Sequence, residues 1–193
     1  MKYYFWRKIT QSALPLLLTF SVIPGLAWGA EHSALSVKVK GVYFRPSETS
    51  LRNLYNGRWS GEGEFNIKVF RSVELWLVGN LYSSNGKLPF TKEKTKMTLT
   101  GIGGGVKLRG QWGLFNPYLG IGPLICFYKE ENPIGIAEGN KIGYIGQGGF
   151  YLTIYRGLLI DFCFSYTRCK AKPQKIEADL GGIHAGIGLG YAF

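Results

Sequence analysis

The chain has 193 residues, 15% aromatic and including 28 glycines, with 23 basic against 12 acidic side chains and a formal net charge of +11. Beyond Ala30 no apolar run approaches the roughly 20 residues a membrane-spanning helix requires, so a helical membrane protein is excluded. Apolar residues alternate with polar or small ones instead of forming blocks, which is the pattern of strands with two unlike faces.

In chain order, Lys2, Arg7 and Lys8 precede an apolar run from Ala13 to Ile23, and Pro24 leads into the small residues of Gly25 to Ala30. This layout predicts a secretory signal peptide over 1–29 and one barrel domain over 30–193. Cleavage after Gly29 suits the small-residue rule, with Ala27 nearly equivalent. Loss of the three basic residues takes the charge from +11 to +8, so the exported chain stays basic.

Leu35 to Arg45 alternates cleanly, with Leu35, Val37, Val39, Gly41 and Tyr43 on one face and Ser36, Lys38 and Lys40 on the other. Pro46 ends that strand, and 46–60 reads as a long loop in which Ser47 to Tyr55 forms a short helical turn. The second strand sets Gly61, Gly63, Phe65, Ile67 and Val69 against Glu62, Glu64, Asn66 and Lys68. After a tight turn at Arg71 and Ser72, Val73, Leu75, Leu77, Gly79 and Leu81 oppose Glu74, Trp76, Val78, Asn80 and Tyr82. A lysine-rich stretch over 83–96 reads as a loop.

The fourth strand, Met97 to Leu108, has its phase obscured by Gly101 and Gly103 to Gly105, the residue type that marks a β-bulge. Tyr118 to Tyr128 follows, with Leu119, Ile121, Ile125 and Phe127 facing outward by parity. The charged stretch 129–140 reads as a loop, Ile142 to Tyr155 as the sixth strand, and Arg156-Gly157 as a turn. In the seventh strand Leu158, Ile160, Phe162, Phe164 and Tyr166 oppose Asp161, Cys163, Ser165 and Thr167. A charged loop over 168–179 precedes the final strand, where Ile183, Ala185, Ile187, Leu189, Tyr191 and Phe193 alternate with Gly186, Gly188 and Gly190. A helix there would have to accept several glycines at about 0.5–1 kcal/mol each.

Eight strands joined alternately by long and short connections predict an all-β fold, an eight-stranded antiparallel up-and-down transmembrane β-barrel with both ends of the chain on the short-turn side. A secreted β-sandwich or lipocalin-like barrel shares the periodicity and reverses the polarity, so periodicity leaves that alternative open. Of the cysteines, Cys163 and Cys169 are too far apart along one strand to bridge, at about 20 Å. Cys126 and Cys169 bridge only if their strands lie close; buried free thiols are the plainer reading. No spacing matches a metal or redox motif, so no metal and no cofactor is expected.

The last strand, with Phe193 at its end and Tyr191, Leu189 and Ile187 before it, resembles the signal by which the barrel assembly machinery of the outer membrane accepts its substrates. The chain from Ala30 onward resembles the small eight-stranded outer-membrane barrels, the group that includes outer membrane proteins A (its barrel part), W and X. GVYFRPSETSLRNLYNG (Gly41 to Gly57) and NPYLGIG (Asn116 to Gly122) resemble segments of a generic outer-membrane β-barrel domain family. The resemblance implies a bacterial outer-membrane location and contact with outer-membrane lipid and lipopolysaccharide.

Some barrels of this group modify lipid A, which calls for a histidine beside a serine and an orienting carboxylate. His32 and His184 are the available histidines, and His184 is followed by Ala185 and Gly186 instead of the His-x-Ser arrangement. Parity puts His184, Ser165 and Asp161 on one face, but a hydrogen-bonded interior histidine is the ordinary explanation. The inward polar set is Lys38, Lys40, Glu62, Glu64, Lys68, Glu74, Asn80, Gln147, Asp161 and His184. In a barrel this narrow it is expected to pair internally and leave no channel. The basic set at the outer strand ends is Arg45, Arg52, Arg58, Lys87, Lys92, Lys94, Lys96, Arg168, Lys170, Lys172 and Lys175, suited to lipopolysaccharide phosphate. Nucleic-acid binding has only the net charge in its favour, since the aromatics belong to the outer face. The reading is a monomeric, non-enzymatic barrel with a structural or surface-interaction role, the alternatives being a lipid A modifying enzyme or a narrow conduit.

Overall fold

The computed structural model describes residues 34–87, 93–133, 135–171 and 178–193. The expected signal peptide, His32, Lys92, Lys172 and Lys175 lie outside them. The elements are β1 (Leu35–Pro46), α1 (Thr49–Tyr55), β2 (Arg58–Phe70), β3 (Val73–Lys87), β4 (Lys94–Arg109), β5 (Phe115–Asn132), β6 (Gly135–Thr153), β7 (Leu158–Arg168), β8 (Lys170–Ala171), β9 (Ala178–Asp179) and β10 (Gly182–Ala192). Strands β1 to β7 and β10 close into an antiparallel barrel, with β10 pairing back onto β1 from Ser36–Ala192 to Pro46–Gly182. The short β8–β9 ladder folds over one end.

Side-chain period two sorts every barrel strand into an inner and an outer face. Val39 is 70% exposed and Ile142 79%, whereas Lys38 is 1% exposed and Glu64 2%. The exterior is thus apolar and the interior charged, the inverse of a water-soluble barrel, which excludes the lipocalin-like alternative. Aromatic pairs flank the apolar band. Tyr43 and Trp59 meet edge to face with centroids 6.0 Å apart near the long-connection end, while Trp112–Phe115 and Tyr191–Phe193 lie at the opposite end. Such girdles place amphipathic rings where hydrocarbon gives way to water.

Three stretches differ from expectation. Strand β3 runs on to Lys87 and β4 begins at Lys94, so the loop expected over 83–96 shrinks to its tip. The stretch expected to be a charged loop over 129–140 is hairpin: β5 and β6 stay in register to Asn132–Gly135, with Lys129 opposite Glu138. Along the β5–β6 extension both faces meet water, so alternation disappears while the backbone ladder continues, satisfying N–H and C=O groups that a loop would leave to solvent; along β3–β4 the inner face is polar because Ser84 and Thr95 bond Tyr55 of α1. The expected loop over 168–179 includes the β8–β9 ladder, and Leu180 beyond it is buried.

The glycine run in β4 does not bulge. Pairing with β5 holds one register from Lys96–Glu131 to Arg109–Tyr118, and odd-numbered β4 residues face inward throughout; the register shift falls between Lys68 and Phe70 on β2. The glycines serve close approach instead. A Cβ on Gly122 would stand 1.9 Å from the Gly104 carbonyl oxygen, and one on Gly105 would stand 2.2 Å from that of Ile121. Gly122→Ala is therefore expected to force β4 and β5 apart and cost about 1–3 kcal/mol, the range for overpacking. The urea midpoint of the refolded barrel, followed by the gel shift between folded and boiled protein, measures it.

Candidate functional site

The barrel centre is built by register. Lys38 pairs with Glu64 and Lys40 with Glu62 across β1 and β2, so two cations and two carboxylates enter the interior at adjacent heights. Asp161 on β7 and Lys107 on β4 complete the ring. Glu64 is its hub, ion-paired with Lys38 and accepting from Lys40 at 2.6 Å and from Lys107 at 2.5 Å. Lys40 also reaches Glu62 at 2.9 Å, and Lys38 reaches Asp161 at 3.1 Å. Lys107 Nζ donates to Asn66 Oδ1 at 2.8 Å and to the Tyr151 hydroxyl at 2.9 Å, and the Tyr118 hydroxyl donates to Asp161 at 2.8 Å. Tyr118 and Tyr151 stack at 4.4 Å, with the Lys38 ammonium 4.0 Å from the Tyr151 ring centre.

Three ammonium groups and three carboxylates thus neutralise one another where water does not reach. Buried charges survive only when compensated, and here ion pairs do this even for Lys38, whose ammonium makes no hydrogen bond among the described residues. The arrangement ties β1, β2, β4 and β7 together across the interior. Nearer the short-turn end Glu74 holds Arg109 at 2.7 Å, and Lys68 stands half-buried opposite Glu74 in the register. Lys107 and Arg109 are the interior cations the sequence reading missed; odd-number parity through the glycine run is the signal that assigns them.

His184 does not assemble a catalytic relay. Its Nε2 lies 3.3 Å from the Thr167 hydroxyl and its ring leans on Phe44 at 4.5 Å, while Asp161 is engaged by Lys38, Lys40 and Tyr118. A cavity of about 30 Å³ beside His184, bounded by Tyr82, Leu124, Thr167 and Leu180, has room for about one water.

The long-connection end is closed by α1. Tyr55 is buried, donating to Glu130 Oε1 at 2.8 Å and lying 2.9 Å from the Thr95 hydroxyl, and its carbonyl accepts from Ser84 at 2.7 Å. Burial raises the Tyr55 phenol above its ordinary value. Leu51, Leu54, Met97, Ala171 and Leu180 complete this apolar stopper. The helical spacing of Leu51, Leu54 and Tyr55 was its sequence signal.

Outside the stopper lies a cleft of about 780 Å³ between α1 and the tips of β3 to β5, bordered by Asn53, Asn85, Lys87, Lys94, Lys96 and Glu131. Lys87 and Lys94 stand directly opposite each other in the β3–β4 register. Arg45, Arg52, Arg58 and Lys170 share this end of the barrel, as does Arg168, which reaches Asp179 at 3.6 Å and Tyr144 at 3.3 Å. At the last strand, Ile187, Leu189, Tyr191 and Phe193 all lie exposed on the outer face.

No protein-family model matches the sequence, and no curated protein matches it either. Solved structures do. Neisserial surface protein A, NspA, superposes with a TM-score of 0.66 at 12% identity, covering 83% of this chain and 98% of that one. The outer membrane protein OprG from Pseudomonas aeruginosa gives 0.63 at 14% identity, over 84% and 97% of the two chains. Ail, the attachment invasion locus protein of Yersinia pestis, solved with the heparin analogue sucrose octasulfate, gives 0.55 at 11% identity over 83% and 97%. With its closed ring of eight antiparallel strands and charged interior, this chain has the fold of the small eight-stranded outer-membrane β-barrels.

Proposed function

We propose that the protein is an integral bacterial outer-membrane barrel with a structural, non-enzymatic core, and that it acts at its long-connection end by binding anionic saccharide, lipopolysaccharide phosphate above all. The apolar exterior between aromatic girdles supports a bilayer environment. The eleven paired positions of β1 and β10 match the 9–11 residues a tilted strand needs to cross. The outward row of Ile187, Leu189, Tyr191 and Phe193 is the surface we assign to recognition by the assembly machinery during insertion.

The observation that carries the binding proposal is the juxtaposition of Lys87 with Lys94 beside the asparagine-lined cleft. Like charges directly opposite in a ladder repel. An anion between them removes that repulsion and gains charge-assisted hydrogen bonds. Arg45, Arg52, Arg58 and Lys96 extend the positive potential around it. Ail offers one example of this fold holding a polysulfated sugar.

The test is binding of the nanodisc-embedded barrel to lipopolysaccharide and to the same lipopolysaccharide freed of phosphate. Phosphate removal is expected to weaken binding, and so is the pair Lys87→Gln with Lys94→Gln, by about tenfold, equivalent to roughly 1.4 kcal/mol. Equal binding of both lipid forms, or indifference to salt at about 0.5 M, would overturn the proposal.

A further inference from the structure

Two of the three cysteines meet near the long-connection end of the barrel. Cys126 lies on the inner face of β5 and Cys169 follows β7, so β6 runs between their strands. Lys141 of β6 is the register partner of Cys126, and the Cys169 thiol donates to the Lys141 carbonyl at 3.7 Å. The approach is made possible at Gly143. A Cβ there would stand 2.0 Å from the Arg168 carbonyl oxygen and 3.1 Å from Cys169 Cα, so the chain leaving β7 leans on bare β6 backbone. Both thiols are buried in one cluster with Trp76, Val78, Leu124 and Ile145. Cys163 belongs elsewhere, paired in register with Gly149 and Gly186.

We propose that Cys126 and Cys169 are a disulfide-forming pair, joined in the protein as it reaches the outer membrane, and that the bond fastens the β8–β9 segment over the lumen to the barrel wall. The inference rests on export of the chain, because the periplasm is the oxidising compartment such a barrel crosses. Two thiols lose two protons and two electrons as the S–S bond forms. The electrons pass to the disulfide of a periplasmic thiol oxidoreductase, which leaves as the dithiol. Cys126 is 8% exposed and Cys169 0%, so oxidation takes place before the barrel closes around them.

Counting reactive thiols tests this. Outer membranes from expressing cells are dissolved in denaturant and labelled with a maleimide polymer that retards the band once per thiol, with and without prior reduction. The expected result is one label on the unreduced protein, at Cys163, and three after reduction. Cys126→Ser is expected to give two labels under both conditions, and Cys163→Ser none before reduction and two after. Because labelling is done on denatured chains, the readout does not depend on the stability of the variants. Three labels without reduction, on protein found in the outer membrane, would overturn the disulfide alone. Absence of the protein from that membrane would instead overturn the location on which it rests.

Discussion

Glu64→Gln is expected to destabilise the barrel by about 3–5 kcal/mol, the cost of leaving a buried charge without its partner. Glu64 is the one carboxylate that Lys38, Lys40 and Lys107 all contact. Its loss leaves three ammonium groups to share Glu62 and Asp161 in a space that water does not enter. Glutamine keeps the shape of the side chain, so the loss reports charge, not packing. Adding Lys107→Met removes one surplus cation and is expected to return part of the stability, since apolar replacement of buried ions is often neutral or favourable. Urea titration in phospholipid vesicles, read by tryptophan fluorescence, gives both values. A change below about 1 kcal/mol for the single variant would mean that solvent reaches the cluster.

A second large effect is expected at the outer surface. Ile187 sits near the middle of β10, opposite Gly41 on one side and Phe162 on the other, and its side chain points away from the barrel. Ile187→Arg is expected to cost about 2–4 kcal/mol in a bilayer, the range for arginine near the midplane of a lipid-facing strand. Asn85→Arg, on the exposed stretch of β3 beyond the barrel rim, is expected to change stability by no more than about 0.5 kcal/mol. Equal tolerance at the two sites would show that Ile187 faces water and would remove the membrane reading. The contrast is informative because a water-soluble barrel accepts arginine at either exposed position.

How much of this was legible beforehand depended on whether a strand had two unlike faces. In β1, β2, β3, β7 and β10 the outward positions are apolar or small with few exceptions, so parity puts Lys38, Glu64 and Asp161 on one face and Val39 and Phe164 on the other, and burial shows which face is the interior. In β4 the residues that would show the phase are glycines, chosen for backbone clearance against β5, so Lys107 went unassigned although it contacts Glu64. The β5–β6 extension was lost for a different reason. Lys129, Glu131 and Glu138 look like loop residues by composition, yet they stand in a ladder whose faces are both wet. Cys126 and Cys169 required tertiary knowledge, since their meeting depends on a third strand and the absence of a side chain at Gly143.

The same extension gives the molecule a lopsided profile. Pairing of β6 with β7 stops at Tyr144–Arg168, whereas pairing of β6 with β5 continues to Gly135–Asn132. Nine residues of β6 therefore stand beyond their neighbour on one side, roughly 30 Å of ribbon measured along the strand. On the other side β4 stays paired with β5 to Lys96–Glu131 and with β3 to Lys94–Lys87, so a short foreign peptide grafted between Asn132 and Gly135 would stand at the end of a four-stranded extension, which makes that tip the natural attachment point for an antibody epitope or a fluorescent label on intact cells.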